Sequence, residues 1–180
     1  MKAVLISIQP KWCELIASGK KTVEVRKTKP KIDVPFKCYI YCTKDYSLGE
    51  FYTSQDDFAM PVQGKIIGEF VCECITYLGN ISTDNWAYLI GWSHEYCKRL
   101  ITNNACLTEE ELLKYGGKYA WHISDLVIYD KPKELREFVK PCNYKNDCCA
   151  CDRYDYIGKK CYNEITRPPQ SWCYVEEVDR

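Results

Sequence analysis

Apolar and polar positions follow two rhythms along this chain. Residues 3–8, AVLISI, are an almost unbroken apolar run and predict a buried first strand. In the following PKWCELIASG, Trp12, Leu15 and Ile16 recur at helical spacing. Pro10 suits the first helical position there, and Gly19 supplies a stop. The period then drops to two. In KTVEVRK, Val23 and Val25 face one way, while Thr22, Glu24 and Arg26 face the other and are expected on display. By parity Lys20 joins the polar side and Lys21 the valine side, although the start of a strand can twist.

KCYIYC (37–42) predicts a strand with Cys38, Ile40 and Cys42 on one face. Residues 64–78 predict one bent strand or two, with Gly68 a candidate bulge, after a loop that includes Gly49, Asp56, Asp57 and Pro61. Helical spacing returns over 85–102 and in LTEEELLKYGG (107–117). Thr108 caps the second of these, Glu111 completes a capping box, and Gly116 and Gly117 end it. KYAWHISDLVIYD (118–130) is a strand with Tyr119, Trp121 and Ile123 inward and His122 outward. PKELREFV (132–139) reads as a short helix, and 171–178 as a closing strand. No repeat is visible. Many short strands with few helices give an α+β class, a small twisted β-barrel with short helices packed around it.

A chain of 180 residues suits one domain with a substantial core. Its formal charge is zero, so bulk electrostatics select no partner. Locally the picture changes: residues 11–37 hold eight lysines and arginines against Glu14, Glu24 and Asp33. Such a stripe suits a polyanion, or simply a solvated face. The first apolar run is too short for a signal peptide, and nothing approaches the ~20 apolar residues of a membrane span. A cytoplasmic protein without a membrane partner is expected. Its 13 cysteines are then free thiols or metal ligands.

The candidate chemistry concentrates in SGKKTVEVRK. Arginine binds phosphate or a carbonyl edge with two parallel donors, and a carboxylate accepts from an exocyclic amine or acts as a base. Lys20, Lys21, Thr22, Glu24 and Arg26 are therefore ligand-binding candidates, with Lys21 and Glu24 the catalytic candidates if the protein is an enzyme. Trp12 offers a ring for stacking a base, or a core residue. In ITRPPQSWCYV, Arg167 and Gln170 either line the same cleft or belong to a rigid closing loop. His94 and His122 form no recognisable catalytic pair.

The cysteines divide in two. Cys13, Cys38, Cys42, Cys72 and Cys74 sit in periodic segments and read as small core residues. Cys142, Cys148, Cys151 and Cys161 offer four thiolates at a spacing that includes one CxxC pair, which suits a closed structural zinc. A reduced loop, or disulfides formed on oxidation, are the alternatives. No organic cofactor is indicated.

QPKWCELIASGKKTVEVRK resembles the ASCH domain family of the PUA-like superfamily, whose pattern G-x-K-x-x-E-x-R is met by Gly19, Lys21, Glu24 and Arg26. GKYAWHISDLVIYDKPKEL and RPPQSWCYVEEV resemble the longer members found in Gram-positive bacteria and their phages. The resemblance implies a PUA-like barrel with a cleft lined by the helix-to-strand segment, and RNA, single-stranded nucleic acid or a modified nucleotide as ligand. Family members include an amidohydrolase acting on acetylated cytidine and a ribonuclease, so both activities stand as alternatives, beside a protein-interaction module. The amidohydrolase works through a lysine, a threonine and a glutamate. Lys21 matches the lysine, but Glu24 occupies the threonine position. The expected organisation is an ASCH domain over 1–140, a cysteine-rich insertion over 141–165, and a closing strand within 166–180. Oligomeric state is not legible in the sequence.

Overall fold

Strand β1 (Ala3–Ile8) is buried at every position, as a strand covered on both faces requires. The structure, a computed structural model, describes residues 3–45, 52–53, 60–78, 99–141, 154–155, 160–161 and 164–177. Helix α1 (Pro10–Ala17) follows at once, with proline in its first turn and Cys13 and Ile16 buried. Gly19 then turns the chain in the left-handed region, φ 71°, into β2 (Val23–Arg26). A loop leads to β3 (Phe36–Cys42), which pairs parallel with β1, so α1 and β2 both lie in the crossover between these two strands.

A hairpin of β4 (Tyr52–Thr53) and β5 (Met60–Pro61) stands where a plain loop was expected. Next comes β6 (Ile66–Tyr77). Leu100–Asn104 form a π-helical turn, while residues 85–98 of the expected helix lie outside the described residues. Helix α2 (Glu109–Tyr115) carries the expected capping box from Thr108 and Glu111 and ends at left-handed Gly116. Strand β7 (Tyr119–Lys133) runs straight through Pro132. The helix expected over 132–139 is reduced to one 3-10 turn, Leu135–Glu137, before β8 (Phe138–Val139). Short strands β9 (Tyr154–Asp155) and β10 (Lys160–Cys161) pair with each other, and β11 (Trp172–Glu177) closes the series.

The main sheet has seven strands in the order β2-β7-β6-β3-β1-β11-β8. β1 and β3 are parallel and the other neighbours antiparallel. The expected barrel is not closed: among the described residues no strand pairing joins β2 to β8. The sheet still curls strongly, because β6 carries irregularities in its register with β7, one of them beside Gly68. A Cβ added at Gly68 would stand 2.3 Å from the Val127 carbonyl oxygen, so glycine permits this close approach.

Alternation along β1 and β3 feeds two cores. Val4, Ile6, Ile8, Cys38, Ile40 and Cys42 join Cys13, Ile16, Phe70, Cys72 and Trp121 inside the curl. Leu5, Tyr39 and Tyr41 pack on the other face with Phe138, Ile165 and Val175. A third group seats Val23 and Val25 against Leu78, Ala105, Leu112 and Ala120 under α2. Cys74, expected in the core, is exposed near the end of β6, where the strand has left the covered region.

Candidate functional site

Four polar or charged side chains are buried among the described residues: Ser7, Lys21, Glu24 and Arg26. Lys21, Glu24 and Arg26 form one connected network, which Ser7 joins through its main-chain carbonyl. The alternation of β2 builds it. Val23 and Val25 go down into the core beneath α2, so Glu24 and Arg26 emerge together on the opposite face. That face does not meet solvent. It turns into the curl of the sheet, beside Trp121, which pairs with Glu24 across β2 and β7. The expected display of the trio is therefore corrected: Glu24 is 6% and Arg26 7% exposed, and only Thr22 faces outward.

Lys21 precedes the strand, and its parity does not hold. Its backbone N–H donates to the Leu15 carbonyl, and its side chain turns up toward Glu24 rather than down with the valines. Lys21 Nζ donates to the Ala105 carbonyl at 2.7 Å and lies 3.3 Å from Glu24 Oε2. Arg26 Nε stands 3.0 Å from Glu24 Oε1, an ion-pair contact without hydrogen-bond alignment. A terminal nitrogen of the guanidinium donates to the Ser7 carbonyl at 2.6 Å, and the other reaches Ser171 Oγ at 3.5 Å. A carboxylate is thus clamped between two cations, with formal charge +1 for the trio. Burying such a group costs several kcal/mol per ion unless partners replace the lost water. Here they are the Ala105 and Ser7 carbonyls.

Aromatic rings border the network. Trp12, half-buried against the core, places its ring 5.1 Å from Lys21 Nζ and 4.4 Å from Lys11 Nζ. Tyr115, at the end of α2, is the exposed neighbour of Arg26. Partial desolvation of the phenol still pushes it above the ordinary range, and the arginine pulls against that shift. Trp121 Nε1 is buried without an acceptor among the described residues, on the same face as Glu24.

The ASCH domain family profile matches residues 6–114. The chain belongs to the ASCH domain family. Among solved structures, two single-substitution variants of ZmASCH from Zymomonas mobilis are similar, one replacing tyrosine by phenylalanine and the other serine by alanine. Each has a TM-score of 0.56 at 19% sequence identity. The first alignment covers 98% of this chain and 91% of the variant, the second 97% and 88%. At that identity the likeness is one of fold. No curated protein sequence matches significantly.

Within this ASCH domain the remaining candidates disperse. Lys20 and Thr22 are exposed; Thr22 Oγ1 accepts from Asn104 Nδ2 at 3.2 Å, outside the buried network. Arg167 and Gln170 are exposed. Their segment reaches the network through other atoms: Ser7 Oγ donates to the Pro169 carbonyl at 2.6 Å, and Ser7 N–H to the Ser171 carbonyl at 2.9 Å. Ser7 and Ser171 escaped the sequence reading. The signal was a lone serine inside AVLISI. His122 does not point freely outward. It is half-buried with Nε2 2.9 Å from Thr76 Oγ1, and burial lowers its pKa. Cys142, Cys148 and Cys151 lie outside the described residues, as do His94 and the side chain of Cys161.

Proposed function

We propose that this ASCH domain binds RNA, or a nucleotide derived from it, at the place where Lys21, Glu24 and Arg26 converge. The observation that carries this reading is the concentration of all three buried charged side chains among the described residues into one network, bordered by the rings of Trp12 and Tyr115. A core assembled for stability alone has no need of a positively charged interior trio, since apolar replacements are often neutral or stabilising. Cations beside an accessible ring are what a phosphate and a base require together. Lys20 and Trp12 make the outer contacts, and Glu24 with Arg26 forms the floor.

Binding of a fluorescent single-stranded RNA to the full chain, followed by anisotropy, tests the reading. Saturable binding that weakens with salt and is reduced by Trp12→Ala or Lys20→Ala is expected. Absence of saturable binding, or an affinity indifferent to salt, overturns it. The same mixtures, with acetylated cytidine added in parallel, show by chromatography whether any ligand is turned over. Glu24 stands where the resemblance to the amidohydrolase calls for a threonine, so the binding reading is preferred to hydrolysis.

A further inference from the structure

The basic stripe seen in the sequence continues past the buried network into the loop that joins β2 to β3. Lys27, Lys29 and Lys31 are all exposed there, and Asp33 is the only acid between Arg26 and Phe36. Three lysines elsewhere do stand within ion-pair distance of a carboxylate: Lys11 of Glu111, Lys37 of Glu69 and Lys65 of Glu134. Lys27, Lys29 and Lys31 have no carboxylate within ion-pair distance among the described residues. Two of them are seated over aromatic rings instead. Lys27 Nζ is 5.2 Å from the Tyr115 ring and Lys29 Nζ 5.9 Å from the Tyr119 ring. A ring orients an ammonium group without cancelling its charge.

The loop is also anchored. Trp172 Nε1 donates to Thr28 Oγ1 at 3.0 Å, and the Lys31 backbone N–H donates to the Tyr174 hydroxyl at 2.6 Å. Both anchors stand on β11, across the gap that no strand pairing closes among the described residues. At the loop's origin, Arg26 is tied to Ser7 and Ser171. A solvated lysine loop needs no such fastening. Unneutralised cations at every second residue of an anchored loop suit a ligand that carries several negative charges in a row, because part of the cost of ordering the loop has been met before binding.

We propose that the loop 27–33 is a fixed track for the phosphates of a single-stranded RNA, so that the ligand is a polymer rather than a free nucleoside. The proposal rests on the nucleotide-binding reading above and specifies its ligand class. Bases of the bound strand lie toward Trp12, Tyr115 and the buried network, and the backbone follows Lys27, Lys29 and Lys31.

The test measures the full chain against uridine and against oligouridylates of about four to about sixteen nucleotides, the range of site sizes of small single-strand binders. Affinity is expected to climb with length over the first few nucleotides. Replacing Lys27, Lys29 and Lys31 together by alanine is expected to weaken oligomer binding on the order of tenfold and to flatten the log–log salt slope by about 2, which is roughly 0.7 for each phosphate left without a cation. Uridine binding stays as in the wild type. Trp172→Phe keeps every charge but removes the Thr28 anchor, so it lowers oligomer affinity a few-fold with the slope unchanged. Equal affinity for uridine and oligomers, or a salt slope unmoved in the triple variant, overturns the track and leaves the nucleotide-binding reading standing. An unaltered affinity in Trp172→Phe overturns the anchoring. If neither uridine nor any oligomer binds, both proposals fall.

Discussion

The Arg26 guanidinium donates to the main-chain carbonyl of Ser7 at 2.6 Å, joining two strands that stand at positions one and five in the order of the sheet. Strand pairing does not make this connection. The curl of β6 and β7 brings β2 opposite β1, and a side chain spans the remaining gap. Tilted contact between Trp121 and Trp172, with ring centroids 6.1 Å apart, joins the same two regions. An open sheet is thereby held as a near-barrel by one buried ion cluster and a seam of aromatic rings.

This arrangement fixes the expected energetics of Glu24. Removing it leaves Lys21 and Arg26 buried beside each other without their shared carboxylate. Glu24→Ala is expected to lower the unfolding free energy by about 3–5 kcal/mol, the range for breaking a buried pair from one side. A surface pair would lose about 0–1 kcal/mol. Urea unfolding of the variant, compared with Lys11→Ala, which breaks the exposed pair with Glu111, decides between them. A loss under about 1 kcal/mol for Glu24→Ala means the cluster is hydrated.

The curl itself depends on Gly68. A methyl group there meets the Val127 carbonyl oxygen at 2.3 Å and Ile128 at 3.1 Å, so either β6 or β7 must shift. Gly68→Ala is expected to cost at least the ~1–3 kcal/mol typical of overpacking. Because the two strands diverge on shifting, it also loosens the bond between Arg26 and Ser7. A variant as stable as the wild type by thermal unfolding contradicts this role.

The regular elements were legible because local chemistry decides them. Pro10, Gly19, the Val23–Val25 alternation and the Thr108–Glu111 box each specify structure within a few residues. What escaped depends on residues distant in sequence. Burial of Glu24 and Arg26 follows from the curl, which brings Ser7 and Ser171 over them; alternation alone predicts only that they share a face. Parity left Lys21 open because it precedes β2, and its side chain follows the Ala105 carbonyl and Glu24 instead. Pro132 suggested a break in β7, yet beyond His122 the strand pairs only with β6 among the described residues. A proline without an N–H is tolerated on such an unpaired side.

The capping box of α2 gives a pH-dependent prediction. The Thr108 backbone N–H donates to Glu111 Oε2 at 2.8 Å, and Glu111 N–H donates to Thr108 Oγ1 at 3.1 Å. The Thr108 bond is the main cause holding the Glu111 carboxyl below its usual range, with Lys11 assisting. A lowered folded-state pKa means that the unfolded chain takes up protons first on acidification. The contribution is therefore present above the ordinary glutamate pKa, about 4.3, and is lost as pH falls through the folded value. Thr108→Ala is expected to cost about 0.5–2 kcal/mol at neutral pH. The gap between wild type and Glu111→Gln is expected to shrink in unfolding curves taken below pH of about 4. A gap that is constant with pH contradicts the box.

His122 adds a second titration in a different window. Burial disfavours its charged form, so its folded pKa lies below that of the unfolded chain. Between these values the unfolded state binds the extra proton, and stability must rise with pH. Acidification from about 7.5 to about 5.5 is thus expected to lower the melting temperature of the wild type more than that of His122→Gln, which retains a polar group near Thr76. Parallel curves for the two proteins remove His122 from the account.

Thiol reactivity separates the two sets of cysteines. Cys13, Cys38, Cys42 and Cys72 are buried and free. Burial raises the thiols of Cys13 and Cys38 well above normal and pushes Cys72 up to about 12. At pH of about 8 a thiol with that value is ionised in about one molecule in ten thousand, and only the thiolate attacks an alkylating agent. Iodoacetamide is therefore expected to spare all four in the native protein and to modify Cys106 earlier, since Cys106 is only partly covered. We further propose about one zinc per chain on Cys142, Cys148, Cys151 and Cys161. In that case these four become reactive only when a chelator removes the metal, before denaturation exposes the core set. Peptide mass spectrometry with elemental analysis reads both steps. Early labelling of Cys38 or Cys72 shows that the core opens readily, and a metal-free protein whose four C-terminal thiols label at once removes the zinc.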